Sequence, residues 1–553
     1  MPVKSFAVVN FEDQMLLGDG CLEQGSLPWL LRTIPGRLFP GWLFEGWRGA
    51  GRHGRKAWPA AMLMGLLLLR HSEAGLTRQG AVRRARTDAA WRAALRLPWR
   101  AAPPREKTLR EFETFLMERH PVAGQPRFLV AFQFWCRLCL EEGLLSNDSV
   151  WVADSTPMWC FGAIKDTVRL LGDGLHSLGR QWARMQGVMV REVAREWEAP
   201  LLLAKSTKGH FAGTDWSDTE AQSVVLESLA ATVNRAVQRV LADLDGVRKS
   251  RRAGLARLCQ NLLRVVGEDL EANAEGRLQV AYRTSAQRLI SHGDPEAQHF
   301  RKSRSKVCSG YKLHALADAV SGLVLALLVT PGGEHDSTQL VPLLVHAKSL
   351  HEQIDEVLAD AAYGGMATRN EALAVTGTRV LAPPLTVAKK EVGLGKGDVS
   401  IDFDKRQAIC PGGVMTRTWK PCLVDGAQSI AFVWPPGSEE HCTCRDVCPV
   451  HKPRTRKDGK PGAPFRRLLL HADEQGLREV RAEWARPETR ARYRRRSMWE
   501  RLMRELTRRG ARRAGAWGLG KATLQAHLAA GISNLLILAK RLSEKRRSAR
   551  LAS

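Results

Sequence analysis

Two aspartates in this sequence follow short apolar runs. Asp154 closes the run 149–154 and Asp360 closes the run 356–360, so each is predicted to end a buried strand. Carboxylates mounted on rigid strands bind Mg²⁺, which prefers oxygen ligands and neutralises the charge that develops in phosphodiester chemistry. Taken singly, each aspartate fits the commoner role of a helix N-cap or a turn residue better.

A third acid belongs to a motif near the carboxyl end. Tyr493, Arg496 and Glu500 are spaced i, i+3 and i+7, which predicts one face of a helix. On that face Glu500 could supply a third metal ligand, while Tyr493 and Arg496 approach a phosphate. The alternative is that Glu500 neutralises a basic helix by pairing with Arg496 and Arg504, and the spacing alone favours it.

The elements that would position these acids are helices and strands in mixed order. Amphipathic spacing and turn signals predict helices over 53–145, 181–275 and 337–353 and from 487 onward, and a strand pair over 311–320 and 323–330 joined by Ser321-Gly322. Residues 385–475 are rich in Pro, Gly and Cys and are interpreted as an irregular insertion.

The charge balance points to a polyanionic partner. The 553 residues carry 84 Lys and Arg against 57 Asp and Glu, a net charge of +27. The length suggests roughly three or four domains. No signal peptide is recognisable, and the apolar stretches 60–69 and 535–539 fall short of the ~20 residues that span a bilayer. Scattered cysteines without a disulfide framework favour a reducing cytoplasm, where the partner is nucleic acid rather than a membrane.

Several short motifs follow one another along the chain and precede the Tyr493, Arg496, Glu500 motif. They are Ala153–Thr156, Ile164–Thr167, Asp294–Glu296, Gly310–His314, Thr330–Asp336 and Ala359–Tyr363. With the helical block 55–97, their order resembles the IS4/IS5-like DDE transposases of bacterial insertion sequences, most closely the IS1182 group. The resemblance spans most of the chain, and its colinearity is more specific than any single motif.

The resemblance implies an α/β fold with a ribonuclease-H-like catalytic core. It implies that Asp154, Asp360 and Glu500 bind Mg²⁺, with Mn²⁺ able to substitute, and that Tyr493 and Arg496 contact DNA phosphate. Metal-activated water would cut the ends of the element, and the exposed 3′ hydroxyl would attack target DNA. The implied partners are double-stranded DNA, both terminal inverted repeats and target, and further copies of the chain in a homo-oligomer.

One position departs from the family pattern. The family motif continues with a Lys seven residues after the glutamate, and here that residue is Thr507. Arg508 and Arg509 follow at once and are predicted to supply the DNA-binding charge, although Arg and Lys are not equivalent. Glu505 is a rival third ligand that lacks the Tyr and Arg partners.

Lys312 and His314 alternate along one predicted strand, so both are expected on the same face. Lys312 is predicted to line the DNA path, and His314 is interpreted mainly as a residue of the sheet. Asp336 is expected to cap the following helix, with an auxiliary catalytic carboxylate as the alternative.

The cysteines of the 385–475 segment form a separate candidate site. A structural Zn²⁺ held by Cys410, Cys442, Cys444 and Cys448 is one interpretation, and reduced, buried thiols are the other. The segment 515–521 superficially resembles a phosphate-binding loop, but Ala522 replaces the Ser or Thr that binds Mg²⁺, so nucleotide binding there is rejected.

These predictions combine into a domain scheme. Its parts are a helical DNA-binding domain over 1–145, a catalytic core over 146–384 and 476–540 with a helical insertion at about 181–290, a Cys-rich insertion over 385–475 and a basic tail over 541–553. The alternatives to a transposase are a nuclease on the same core and a DNA-binding relic without chemistry.

Overall fold

The computed structural model shows an α/β protein that divides into two compact units. It describes residues 21–47, 57–145, 148–285, 287–303, 305–384, 394–424, 427–437, 442, 444, 447–455 and 461–552. The first unit comprises Met1–Ile354 and Arg496–Ser553, and the second comprises Asp355–Arg495. The predicted α/β class is confirmed.

The first unit begins with a set of packed helices. They are α1 (Leu27–Thr33), α2 (Pro35–Leu38), α3 (Ala60–Ser72), α4 (Arg78–Thr87), α5 (Ala89–Leu95), α6 (Glu106–Met117) and α7 (Arg127–Glu141). Glu113 of α6 is buried and accepts hydrogen bonds from Arg70 of α3 at 2.5 Å and from Arg78 of α4 at 2.6 Å. A buried carboxylate requires such partners, so this triad locks three helices together. The predicted helical character of 53–145 is confirmed over its described part.

Strand β1 (Trp151–Trp159) is followed by a helical insertion with a core of its own. Its elements are α8 (Thr167–Gln186), α9 (Val190–Glu196), α10 (Thr207–His210), α11 (Thr219–Ala242), α12 (Lys249–Asp269) and the hairpin of β2 (Leu270–Ala272) and β3 (Leu278–Val280). Helix α8 begins earlier than predicted because Asp166 caps it, accepting from the Arg169 amide at 2.8 Å. It ends at Gly187, whose φ of 71° suits a C-terminal glycine.

The sheet of the first unit is completed by β4 (Gln298–Arg301), β5 (Val307–Asp318) and β6 (Val324–Pro331), and α13 (Leu340–Lys348) follows. Strand β5 pairs antiparallel with β1, β4 and β6, which confirms the predicted strand pair. Gly310 has a φ of 142°, and a Cβ there would lie 2.4 Å from the Met158 carbonyl oxygen. Only glycine therefore lets β5 pair this closely with β1.

Two predictions about element ends in this sheet are wrong. Strand β1 continues to Trp159, so Asp154 lies in the middle of the strand and not at its end. The cause is the antiparallel ladder with β5, which continues through every residue of β1. The helix predicted over 337–353 begins as a short 3₁₀ turn at Asp336–Gln339 and ends at Lys348.

The second unit contains strands where an irregular insertion was predicted. It begins with β7 (Glu356–Leu358), α14 (Met366–Thr376) and β8 (Arg379–Leu381), and β7 pairs parallel with β8. Two antiparallel sheets follow, one of β9 (Ser400–Asp402), β10 (Gln407–Ile409) and β11 (Met415–Thr416), the other of β12 (Trp419–Val424), β13 (Ala427–Val433), β14 (His451–Thr455) and β15 (Pro461–His471). Phe432 and Trp434 lie in the hydrophobic core of these sheets, so burial of large side chains supports strands here despite the Pro and Gly content. Helices α15 (Glu474–Ala485) and α16 (Pro487–Arg494) end the unit.

The chain returns to the first unit with α17 (Met498–Leu506) and the long α18 (Leu519–Ala552). Helix α18 packs against α7, α3 and β6, and Gly531 allows a close approach because a Cβ there would lie 2.8 Å from the Trp135 ring. Among the described residues α18 is the one helix long and apolar enough to cross a membrane, yet 83% of its apolar window is buried inside the protein. It is therefore a core helix, and the residues predicted as a basic tail continue it.

Asp294 joins three parts of the first unit that are distant in sequence. Its Oδ2 accepts from the amides of Phe161 and Gly162 at 3.2 and 3.3 Å, and its Oδ1 accepts from the Tyr311 hydroxyl and from the Gly518 amide at 2.8 Å. The side chain is fully buried, so these four donors replace its hydration. Burial and the bond to Asp294 raise the pKa of Tyr311 above its usual range, so the phenol stays a donor.

Asn534 attaches α18 to the sheet through one residue of β6. Its Oδ1 accepts from the Val324 amide at 2.9 Å, and its Nδ2 donates to the Val324 carbonyl at 2.8 Å. Both groups are buried, and the side-chain amide satisfies them as a neighbouring strand would.

We expect Asn534→Ala to lower the free energy of unfolding of the first unit by about 1–3 kcal/mol, because it leaves the buried Val324 amide without this partner and the Val324 carbonyl with only the weak Cys136 thiol donor, at 3.3 Å. Denaturant unfolding, together with hydrogen exchange at the Val324 amide, measures this effect. The matched control is Ser533→Ala, since the Ser533 hydroxyl bonds only within α18, to the Ala529 carbonyl. Equal losses for the two variants would contradict the role of Asn534.

Candidate active site

Asp154 projects from the middle of β1 and forms an ion pair with Arg496. The Asp154 Oδ2 accepts from the Arg496 Nη2 at 2.5 Å, and Oδ1 accepts from the Ser155 amide at 2.7 Å. The side chains of Asp154 and Arg496 are 17% and 24% exposed. The contact brings together residues 342 positions apart, one from the first predicted metal-binding segment and one from the carboxyl-terminal motif.

Glu500 lies on α17 and is exposed. Within the described part of the chain its carboxylate forms no ion pair and accepts no hydrogen bond. The alternative interpretation, in which Glu500 pairs with Arg496 and Arg504, is therefore not realised. Arg496 is instead bonded to Asp154, which leaves the Glu500 carboxylate available to a ligand.

Tyr493, Arg496 and Glu500 do not lie on one continuous helix as predicted. Helix α16 ends at Arg494, a 3₁₀ turn covers Arg495–Ser497, and α17 begins at Met498. Tyr493 belongs to the second unit, where its ring packs edge-on against Trp484 with 4.8 Å between ring centroids. The spacing i, i+3, i+7 predicted helical turns correctly but not the break between them.

Asp360 lies in the second unit, two residues after β7, as predicted for a residue that follows a strand. Its Oδ1 accepts from the Ala362 amide at 2.9 Å and caps a 3₁₀ turn at Ala361–Tyr363. The N-cap interpretation is thus realised, and the Oδ2 atom forms no hydrogen bond within the described residues. Capping and metal binding are compatible, because a carboxylate has two oxygens and about four acceptor positions.

A second acidic group, around Asp336, lies on the other face of β1, and the sequence did not predict its contacts with Lys312 and Ser155. Asp336 accepts from Lys312 Nζ and from Ser155 Oγ, both at 2.7 Å. Burial alone would raise the pKa of Asp336, but the bonds from Lys312 and Ser155 and the charge of Lys312 lower it below its usual value. The expectation that Asp336 caps the next helix is wrong, since His335 accepts from the Ser337 amide in that position. The adjacent polar pair Asp154-Ser155 was the available signal, because neighbouring strand residues point to opposite faces.

The contacts of Asp336 also affect the charge and environment of Lys312 and His314. Lys312 is neutralised by Asp336, so it is not a free DNA-binding cation in this structure. His314 is fully buried, and its Nε2 lies 3.0 Å from the Thr330 hydroxyl. Burial lowers the pKa of His314 to about 4, against the opposing charge of Asp336, so the ring is neutral at pH 7.

The arginines after Thr507 differ in how free they are. Arg509 is 18% exposed and bonds to Glu505 at 3.1 Å, whereas Arg508 is 80% exposed. Arg508 is therefore the better placed of the two to meet a phosphate. Glu505, the rival third ligand, is already neutralised by Arg509.

No disulfide bond links any of the cysteines in the described ranges. Cys410 and Cys448 are buried in the core of the second unit, and Cys442 and Cys444 are partly exposed. His441 lies outside the described residues. Across the described ranges no group of three or more His, Cys, Asp or Glu side chains is assembled so as to hold a metal ion, so the predicted structural zinc finds no support there.

The buried His314 predicts a specific acid sensitivity. Its folded pKa of about 4 lies below the unfolded value of 6.5, so the unfolded chain gains a proton first as the pH falls. The stability contributed by the neutral ring is complete above pH 6.5 and is lost towards pH 4, a change of roughly 3 kcal/mol. We expect His314→Gln to flatten the pH dependence of the free energy of unfolding between pH 7 and 4.5.

The matched control for this measurement is His210→Gln, because His210 is exposed. The control should leave the pH dependence unchanged. A His314→Gln variant with the same pH dependence as the unmodified protein would show that the buried ring is not its source.

Comparison with known proteins gives a family match for part of the chain. Residues 286–535 match the model of the family described as the transposase DDE domain. The matched range contains Asp360 and Glu500, and Asp154 precedes it. No curated protein and no solved structure matches the chain. Residues 286–535 are therefore similar to the transposase DDE domain family.

Proposed function

We propose that this protein is a transposase that cuts DNA at the ends of an insertion sequence and joins the exposed 3′ hydroxyl to target DNA. The observation that carries the proposal is the ion pair between Asp154 and Arg496. This ion pair joins Asp154, the first candidate metal ligand, to the motif that contains Glu500, the third candidate. Asp154, Arg496 and Glu500 all belong to the first unit. An arrangement built only for folding would not need an exposed, unpaired Glu500 on the next helix.

The order of elements supports a ribonuclease-H-like core. Strand β1 and the antiparallel pair β5 and β6 are followed by α13, then by the parallel strands β7 and β8 with α14 between them. Parallel strands need a crossover connection, which α14 supplies. In this scheme the helical insertion and the β-rich segment of the second unit interrupt the core.

Asp154, Asp360 and Glu500 are proposed as the ligands of Mg²⁺, with Mn²⁺ able to substitute. Their chemistry fits the ion, because all three offer the hard oxygen donors that Mg²⁺ prefers. Within the described residues, the Glu500 carboxylate and one oxygen of Asp360 accept no hydrogen bond. The bound metal would neutralise charge on the phosphate and promote ionisation of the attacking hydroxyl or water.

The basic residues around the acids are proposed to hold DNA. Arg496 forms an ion pair with Asp154 and is partly exposed. Its guanidinium can therefore turn towards a DNA phosphate bound near that carboxylate. Arg508 is exposed two residues beyond the end of α17, and Tyr493 is proposed to contact the same strand of DNA. Lys312 acts instead by orienting Asp336 and, through it, Ser155 next to Asp154.

The remaining assignments follow the family. The helices α1–α7 are proposed as a DNA-binding domain, the protein as a homo-oligomer that pairs two ends of the element, and the bacterial nucleoid as its location. Membership of the IS1182 group belongs to the same proposal.

The test is cleavage and joining of labelled end DNA with Mg²⁺. We expect Asp154→Asn, Asp360→Asn and Glu500→Gln each to bind DNA but to lower cleavage and joining by at least about a hundredfold, because each removes a charged metal ligand. Glu505→Gln is the matched control on the same helix, and it should retain activity within a few-fold. Loss of activity in Glu505→Gln but not in Glu500→Gln would overturn the assignment of the third ligand.

Other outcomes identify the alternatives. Cleavage without any joined product would make the protein a nuclease. Binding without cleavage in Mg²⁺ or Mn²⁺ on correct end sequences would make it a DNA-binding relic.

A second prediction concerns the ion pair itself. The guanidinium of Arg496 occupies Asp154 Oδ2, so a metal ion must compete with it. We expect Arg496→Gln to lower the Mg²⁺ concentration for half-maximal cleavage by up to about fivefold, since a partly exposed ion pair contributes about 1 kcal/mol or less. The maximal rate should fall at the same time, because a phosphate contact is lost. An unchanged or higher Mg²⁺ requirement would show that Arg496 does not compete with the metal.

A further inference from the structure

The helical insertion of the first unit contains a basic cleft, called here the α8–α12 cleft. It is a depression of about 740 Å³ lined by Asp173, His176, Ser177, Arg180, Gln181, Arg184, Met185, Lys205, Ser206, Arg251 and Gly254. A second depression of about 750 Å³ shares Arg184, Met185 and Arg251 with it and adds Arg248. The two depressions therefore adjoin, and together they are called the groove of the insertion.

The pattern of α8 explains why the groove is basic. His176, Arg180 and Arg184 recur at four-residue spacing, so they lie on one face of the helix. Leu178 and Trp182 lie on another face and are buried in the core of the insertion. The helix therefore holds a row of cations on a firmly packed support.

The cations of the groove are not neutralised by the protein. Arg180, Arg184, Lys205, Arg248 and Arg251 are exposed, and none of them forms an ion pair within the described part of the chain. The acids beside them are engaged elsewhere, since Asp173 pairs with Lys165 at 2.7 Å and Asp243 with Arg239 at 2.6 Å. Some other arginines of the insertion are paired, such as Arg277 with Glu227 at 2.7 Å and Arg264 with Glu268 at 2.9 Å.

His176 adds a second, independent observation at the floor of the cleft. It is 6% exposed, and neither ring nitrogen has a hydrogen-bond partner among the residues that the structure describes. A buried polar group without a partner is costly, so an unpartnered ring that lines a cleft indicates a ligand able to hydrogen-bond to it. Burial and the neighbouring charge of Arg180 lower the pKa of His176, and an anionic ligand would oppose both effects.

We infer that the α8–α12 cleft binds the phosphate backbone of double-stranded DNA, at a site separate from the carboxylates. The inference rests on the proposed function, which supplies DNA as the partner. Unpaired arginines with a hydrogen-bonding floor suit phosphate oxygens. The groove is far larger than one small anion, which takes a volume comparable to a few waters of ~30 Å³ each, so it suits a run of phosphates. Arg180 and Arg184 are one turn apart, ~6 Å along the axis, and can meet successive phosphates.

The test compares Arg180→Gln/Arg184→Gln with the control Arg191→Gln/Arg195→Gln. The control removes the same charge from α9 of the same insertion, where both arginines are exposed and do not line the groove. Both pairs are placed in full-length protein carrying Asp154→Asn, so that DNA is bound and not cut. Affinity for a duplex with the end sequence is measured across a series of KCl concentrations.

We expect the cleft variant to bind about tenfold more weakly at 0.1 M salt and to reduce the slope of log affinity against log salt by about 1.8, since each lost phosphate contact removes about 0.9. The control should change the slope by less than half as much. Equal slopes for the two variants would overturn the inference, and circular dichroism excludes misfolding as the cause of a loss. Lys205→Gln, outside the helices, should reduce the slope by about 0.9.

Competition with inorganic phosphate distinguishes DNA from a free anion as the ligand of the cleft. At constant ionic strength, millimolar phosphate should not displace duplex DNA from the cleft. If it abolishes the difference between the two variants, the site binds a free anion and the inference is overturned. The result is also separable from the proposed function: a protein that never cuts DNA can still show the loss of slope, and an active transposase can fail to show it.

Discussion

The first unit depends on one buried charge, the carboxylate of Asp294. Such a charge is tolerated only when hydrogen bonds replace its hydration, and here the amides of Phe161, Gly162 and Gly518 and the Tyr311 hydroxyl do so. The loop after β1, the strand β5 and the start of α18 must therefore converge on one point. This convergence fixes the position of the end of β1, the strand that carries Asp154, and the point at which α18 enters the core. Asn534 then attaches α18 to β6 further along.

The two faces of β1 divide the acids between different tasks. Ser155 points to the face of Lys312 and His314, where Asp336 is neutralised within the protein. Asp154 points to the other face, where its partner Arg496 comes from a distant segment and is itself only partly buried. A carboxylate paired with a partly exposed arginine can exchange that arginine for another cation. A carboxylate held by a lysine and a serine inside the sheet cannot do so without disrupting the sheet.

The arginines that contribute to the positive net charge do not all have the same role. Some arginines form ion pairs that stabilise the fold. Arg70 and Arg78 pair with Glu113, and Arg509 pairs with Glu505. Within the described residues, the arginines of the α8–α12 cleft form no ion pair. The net charge of +27 alone could not distinguish these cases, because pairing is a property of the folded chain. DNA contact is therefore expected where cations lack acidic partners, and that set includes residues far from the carboxyl-terminal motif.

The sequence by itself determined the local features of this protein. Apolar spacing predicted the helices of both ends, the Ser321-Gly322 turn predicted the β5–β6 hairpin, and the motif order led to the DDE domain family that residues 286–535 match. These succeed because they depend on residues close in sequence. The ends of β1, the break between α16 and α17 and the strands within 385–475 were missed, since cross-strand pairing and core packing decide them.

The state of the candidate site was decided by tertiary structure alone. Whether Arg496 pairs with Glu500 four residues away or with Asp154 on β1 cannot be read from spacing, because both partners are acids within the reach of a long side chain. The same holds for Asp336, which could cap a helix or bind Lys312. In each case the local partner competes with one that only the folded chain brings near, and burial favours the distant one because it strengthens the bond that water would otherwise weaken.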